Sequence, residues 1–129
     1  MARSTKLFPM LSVADLSRSL ALYKDVLGGV ETYRFPEAGE PAFLVLSFGS
    51  SELGLGKLDP TGNALHGQAL RPATGHRVEL CVYVDDVDAA AREARASGFS
   101  IVLEPTDQPW GERVAYVRDP DENLVMLTK

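Results

Sequence analysis

Hydrophobic and polar positions recur in the same order twice along the chain, about 70 residues apart. Leu11-Ser-Val-Ala-Asp15-Leu opens the first pattern and Val82-Tyr-Val-Asp-Asp86-Val the second. Each is an apolar run, then an acidic residue suited to a helix N-cap, then a helical period. Leu16, Leu20, Tyr23 and Leu27 fall at spacings of four, three and four, which predicts a helix over about 16–27 with one apolar face. Asp15 caps its start, and Gly28 or Gly29 supplies a left-handed C-cap. Val87, Ala90, Ala91 and Ala94 give a second, thinner stripe over about 87–96, with Asp85 or Asp86 as cap and Gly98 as stop.

Strand patterns fill the remainder. Val30 to Phe35 and Phe99 to Leu103 follow the two helices. Pro41 to Phe48 and Leu53 to Leu58 flank Gly49-Ser-Ser51 as a hairpin. Glu112 to Arg118 and Leu124 to Thr128 flank the turn Asp119-Pro-Asp-Glu-Asn123. Each half reads strand, helix, strand, strand, strand. The expectation is one α+β domain over 1–129: module one at about 5–58, a linker at about 59–75, and module two at about 76–129. Two such units fill the length, so the pattern is a duplication and not a solenoid.

Composition narrows the function classes. Hydrophobic residues make up 45% and charged residues 24%, enough for a buried core. No apolar run reaches the roughly 20 residues that span a bilayer. Met1 to Leu7 lacks the apolar stretch of a secretory leader. Cys81 is the only cysteine, which excludes an intrachain disulfide and points to a cytoplasmic protein. The formal net charge of −5 argues against a nucleic-acid partner, and no membrane partner is expected.

Several segments carry a family likeness: Val13-Ala-Asp-Leu-Ser-Arg-Ser-Leu-Ala-Leu-Tyr23, Leu27-Gly28, and Val84-Asp-Asp-Val-Asp-Ala89. Asp107-Gln-Pro-Trp-Gly111 and Val117-Arg-Asp-Pro-Asp-Glu-Asn123 complete the set. Together they resemble the vicinal-oxygen-chelate superfamily, which includes glyoxalase I, extradiol dioxygenases, fosfomycin-resistance enzymes and bleomycin-resistance proteins. The Gln-Pro-Trp-Gly and Arg-Asp-Pro combination most resembles the bleomycin-resistance branch. Glu122 departs from the pattern, because relatives usually have glycine there. The resemblance implies tandem βαβββ modules forming a curled mixed sheet around a cavity, and a homodimer with ligand crevices between modules of different chains.

The resemblance also implies where a metal would be held. The family's ligand positions fall at Phe8, near Gly54, at Glu79 and at Met126. Phe8 and Gly54 offer no donor, and the Met126 thioether is too soft for the divalent ions of this superfamily. One carboxylate does not hold a catalytic ion, which normally takes three protein ligands. His66 and His76 lie in or beside the linker. No catalytic set, metal or cofactor is therefore expected, and Glu79 stands as a lone candidate general base, were burial to raise its pKa.

Strand alternation suggests a pocket lining. Val78, Leu80, Val82 and Val84 should face the helices, leaving Glu79, Cys81 and Tyr83 on the other face. By the same logic Phe8, Met10 and Ser12 point inward from the first strand, and Leu124, Met126 and Thr128 from the last. Trp110 is read either as a platform for a planar or cationic group or as a plug against core or partner. Cys81 is expected to be a small buried hydrophobe. The function expected is metal-free binding of a small cationic or aromatic ligand, such as an antibiotic; the alternative is a metal-dependent lyase, isomerase or dioxygenase with displaced ligands.

Overall fold

The caps set the helices where the pattern puts them. In the computed structural model, which describes residues 2–58, 71, 74–75 and 78–129, the Asp15 side chain accepts from the Arg18 backbone N–H and Asp86 from that of Ala89. Helix α1 (Leu16–Leu20) runs on into a π-helical turn over Ala21–Val26, closed by the Leu27 N–H donating to the Leu22 carbonyl at 2.9 Å. Ser19, Leu22 and Tyr23, at i, i+3 and i+4, form its buried face. Gly28 at φ 79° ends it. Helix α2 spans Val87–Ala96 and buries the expected stripe.

Among the described residues, eight strands accompany the helices: β1 (Met10–Val13), β2 (Val30–Phe35), β3 (Phe43–Phe48), β4 (Ser51–Lys57), β5 (Glu79–Tyr83), β6 (Ile101–Asp107), β7 (Arg113–Arg118) and β8 (Leu124–Thr128). They form two separate four-stranded sheets, ordered β1-β4-β3-β2 and β5-β8-β7-β6, each with one parallel pair, β1·β4 or β5·β8. Two tandem βαβββ modules are thus present, with open sheets in place of one continuous curl. Phe99 is buried but precedes β6, its N–H donating to Ala94 at the end of α2. The linker positions 59–70, His66 and His76 lie outside the described residues.

A single core joins the modules. Val13, Leu44, Leu46 and Leu55 of the first sheet and Ala115, Val117, Val125 and Leu127 of the second are all fully buried beside Leu22, Tyr23 and α2. Polar ties cross the seam. Tyr23 Oη donates to Asp119 Oδ2 at 2.7 Å, and the Ala14 N–H donates to Asp121 Oδ1 at 3.0 Å. The Arg18 guanidinium reaches the Ser97 carbonyl at the end of α2 and lies 4.4 Å from the Phe99 ring centroid. With one face of each sheet committed to this core, the other faces carry no helix among the described residues. Among the described residues no helix is long and apolar enough to cross a membrane.

Candidate functional site

The open face of the second sheet gathers most of the expected site. Register pairs Glu79 with Leu124, Cys81 with Met126, and Tyr83 with Thr128, so Glu79, Cys81, Tyr83 and Met126 share one face. Leu80, Val82 and Val84 pack on the core as expected, whereas Val78 lies before the strand and is exposed. Cys81 is solvent-exposed, against the expectation of a buried hydrophobe, because none of the described residues covers this face. Partial burial, then the Glu112 and Glu79 carboxylates, push its thiol pKa up, so it is not an activated nucleophile.

Two residues that pattern reading missed organise this face. Tyr116 pairs across from Met126, and its hydroxyl lies 3.3 Å from Met126 Sδ. A hydrogen bond to Glu79 is the largest reason its phenol is pushed up to about 12. Glu112 accepts from Trp110 Nε1 at 2.7 Å through one oxygen and from Thr128 Oγ1 at 3.3 Å through the other. It also sits beside the Tyr83 hydroxyl and raises that phenol's pKa. The tight turn 108–111, with Gly111 at φ 100°, carries Trp110. Its ring is 65% exposed, so it does not plug the core, and Glu112 anchors its edge. Carboxylates and aromatic rings thus alternate across one surface. Arg118, at its far row, is turned to Glu122. Glu79 is exposed within one chain, which does not provide the burial a lone general base requires.

The first sheet presents a different face. Met10 pairs with Gly54 and Ser12 with Gly56, and both side chains are exposed. Phe8 precedes β1 and is half-buried. Phe43, Tyr33 and Phe35 join this face from β3 and β2, and the Tyr33 and Phe43 ring centroids lie 6.1 Å apart. Within one chain, a cavity of about 590 Å³ lies between the β3–β4 hairpin, the end of the π-helical turn and β5. It takes in Cys81 and Tyr83 of the expected lining and none of Phe8, Met10 or Ser12.

Register also relates the four positions at which the resemblance puts metal ligands. Phe8 stands two residues before the strand partner of Gly54, and Glu79 two before the strand partner of Met126. The two pairs are therefore equivalent points of the two sheets. They do not fit a divalent ion. A Cβ built on Gly54 would lie 3.0 Å from Met10 Cγ and 3.2 Å from Phe43 Cε2, so a carboxylate has no room there without their displacement. Among the described residues no group of three His, Cys, Asp or Glu side chains is placed to hold a metal.

Comparison with known proteins agrees with this architecture. TioX from Micromonospora sp. ML1 superposes with a TM-score of 0.71 at 26% identity, covering 96% of this chain and 94% of that one. The hypothetical protein SA1046 from S. aureus superposes at 0.76 over 98% of this chain and 95% of its own, a likeness of fold alone at 22% identity. A lactoylglutathione lyase of Haemophilus influenzae is 36% identical over 121 residues, 89% of this chain and 84% of that protein. CFP32 of Mycobacterium tuberculosis is 30% identical over 111 residues, 86% of this chain, which spans only 38% of its length. The family profile matches residues 7–127, nearly the whole described fold, and the chain belongs to the Glyoxalase/Bleomycin resistance protein/Dioxygenase superfamily.

Proposed function

We propose that this chain binds a small cationic, aromatic molecule of the antibiotic kind without using a metal, and sequesters it by affinity alone. The observation that carries the reading is the chemistry of the four register-equivalent positions: Phe8, Gly54 and Met126 supply no hard donor, and Glu79 is the only carboxylate. In place of an ion-gripping set, the open face of the second sheet offers negative charge between aromatic rings, with Glu79 and Glu112 flanked by Tyr83, Tyr116 and Trp110. Such a surface attracts a cation by charge and by ring quadrupole together.

The assembly we propose is a homodimer in the cytoplasm. Met10 (54% exposed), Tyr33 (54%), Phe35 (61%), Tyr83 (71%) and Trp110 (65%) leave much apolar surface open on the two helix-free faces. A second copy setting its second sheet over the first sheet of its partner would cover both faces twice, by two-fold symmetry. Titration with a bleomycin-type glycopeptide, followed by Trp110 fluorescence and calorimetry, tests the binding. Quenching with saturable heat is expected; neither at high micromolar ligand refutes it. The 36% identity to a lactoylglutathione lyase favours a second reading, a metal-dependent enzyme with displaced ligands. Elemental analysis of purified protein separates the two, because that reading requires a stoichiometric divalent ion.

A further inference from the structure

The cavity of about 590 Å³ lies against a strand edge. Leu80, Cys81, Val82 and Tyr83 all line it. Alternate side chains of a strand point to opposite faces, so four consecutive residues share one space only where that space meets the strand's edge. Among the described strands, β5 is an edge strand, hydrogen-bonded to β8 alone. The Val84 N–H donates to the Thr128 carbonyl of β8 at 2.9 Å, and backbone groups turn to alternate sides along a strand. The N–H and C=O of Cys81 and of Tyr83 therefore point away from β8, into the cavity. Leu27, Phe48 and Leu53 supply apolar walls. Gly28 and Gly49 leave two points of those walls bare, since a Cβ on either would meet nothing within 4 Å. The one carboxylate among the lining side chains, Glu52, is paired with the Lys6 ammonium.

We infer that this cavity is a second binding site, built on the backbone edge of β5, for a neutral, apolar, peptide-like molecule: one extended residue flanked by two amides. Such a residue presents its own N–H and C=O on one side. They meet the outward groups of Cys81 and Tyr83 as an added strand does. Its side chain fills the space between Leu27, Phe48 and Leu53, and the volume lies within the range of small-molecule pockets, about 300–1,000 Å³. A net charge on the guest would be left unmatched, because Glu52 is already neutralised. The open face of the second sheet, by contrast, is built for a cation. The site does not depend on the cationic ligand proposed above.

N-acetyl-leucine methylamide titrated into the ¹⁵N-labelled protein tests the site. The Cys81 and Tyr83 amide resonances are expected to shift saturably at millimolar probe. The analogue with an ester oxygen in place of the leucine N–H loses one donor and is expected to bind about fivefold more weakly. Leu27→Trp, in the wall, and Ser51→Trp, on the exposed rim where the core is spared, are each expected to weaken the probe about tenfold. Before the probe is added, the Cys81 and Tyr83 amides should exchange with deuterium as fast as exposed ones. No shift, an ester analogue that binds equally, or unchanged affinity in both variants overturns the inference. Slow exchange of the two amides in the free protein also overturns it, because a second copy then already occupies the edge. Drug binding is read at Trp110 in the native chain, so failure there and failure here are separate results.

Discussion

Replacing Tyr23 by Phe removes one atom from the seam between the modules. The Tyr23 ring is 1% exposed and the Asp119 side chain it meets is 2% exposed, so water does not replace the lost hydroxyl freely. Asp119 Oδ2 would keep the bond from Asn123 Nδ2 at 2.8 Å, and Oδ1 those from the Asp121 and Asn123 N–H groups at 2.9 and 2.8 Å. Three of four donors remain, so the carboxylate is weakened in its setting and not orphaned. A buried hydrogen bond to a charged acceptor contributes about 1.5–3 kcal/mol, which sets the expected loss near 2 kcal/mol. For a domain of this size that lowers Tm by roughly 5–10 °C. Burial, then the neighbouring Asp119, push the Tyr23 phenol far above its ordinary range, so it remains a donor at every pH where the protein folds. Urea unfolding at fixed protein concentration is the assay, because self-association would shift the midpoint. The midpoint should fall with the slope unchanged. A loss below about 0.5 kcal/mol would show that the bond adds nothing beyond packing of the ring, and the account of the seam would fail.

Three further outcomes follow from the same geometry. The Tyr116 phenol should titrate at about 12 by its absorbance near 295 nm, and Glu79→Gln should bring it down toward the ordinary value of about 10. Burial raises the Asp121 pKa above its ordinary value, so its folded form holds a proton longer than its unfolded form. Its contribution to stability is present below the unfolded pKa and lost as pH rises through the folded one; relative to Asp121→Asn, the wild type should gain stability as pH falls from about 6 to 3, measured by urea unfolding. Glu122 holds φ 68°, a left-handed conformation that disfavours any residue with a Cβ. Its ion pair with Arg118, at 3.6 Å, is exposed and adds little. Glu122→Gly should therefore raise stability by up to about 1 kcal/mol in thermal melts, and a loss would show the pair to matter more than the backbone.

Much of the scaffold was legible because its signals are local. Asp15, Asp86, Gly28 and Gly98 mark helix ends by chemistry that acts within one turn, and Val87–Ala96 and Leu124–Thr128 fall at the expected bounds. The π-helical turn was not legible, since Ser19, Leu22 and Tyr23 fall at the i, i+3, i+4 spacing of an ordinary α-helix and the wider turn shows only in its backbone bond from Leu27 to Leu22. The site was partly legible: alternation puts Glu79, Cys81 and Tyr83 on one face. Glu112 and Tyr116 escaped because their roles depend on register across β5, β8 and β7, which no single strand encodes. Phe43 did leave a signal, the glycines at 54 and 56, whose meaning is a close neighbour and not merely a weak strand. Cys81 misled because a face open in one chain looks, by alternation, like a buried one.

The tie between Tyr23 and Asp119 has no mirror image. The modules repeat at 71 residues through the helices and the first hairpin strands, so the counterparts of these two are Ala94 and Phe48, which carry no polar group to share. Identical halves meeting around a two-fold axis would make each bond twice. This joint makes it once. On the side without the bond, Phe48 borders the 590 Å³ hollow. Space for a guest and asymmetry of the joint thus meet at the same hairpin.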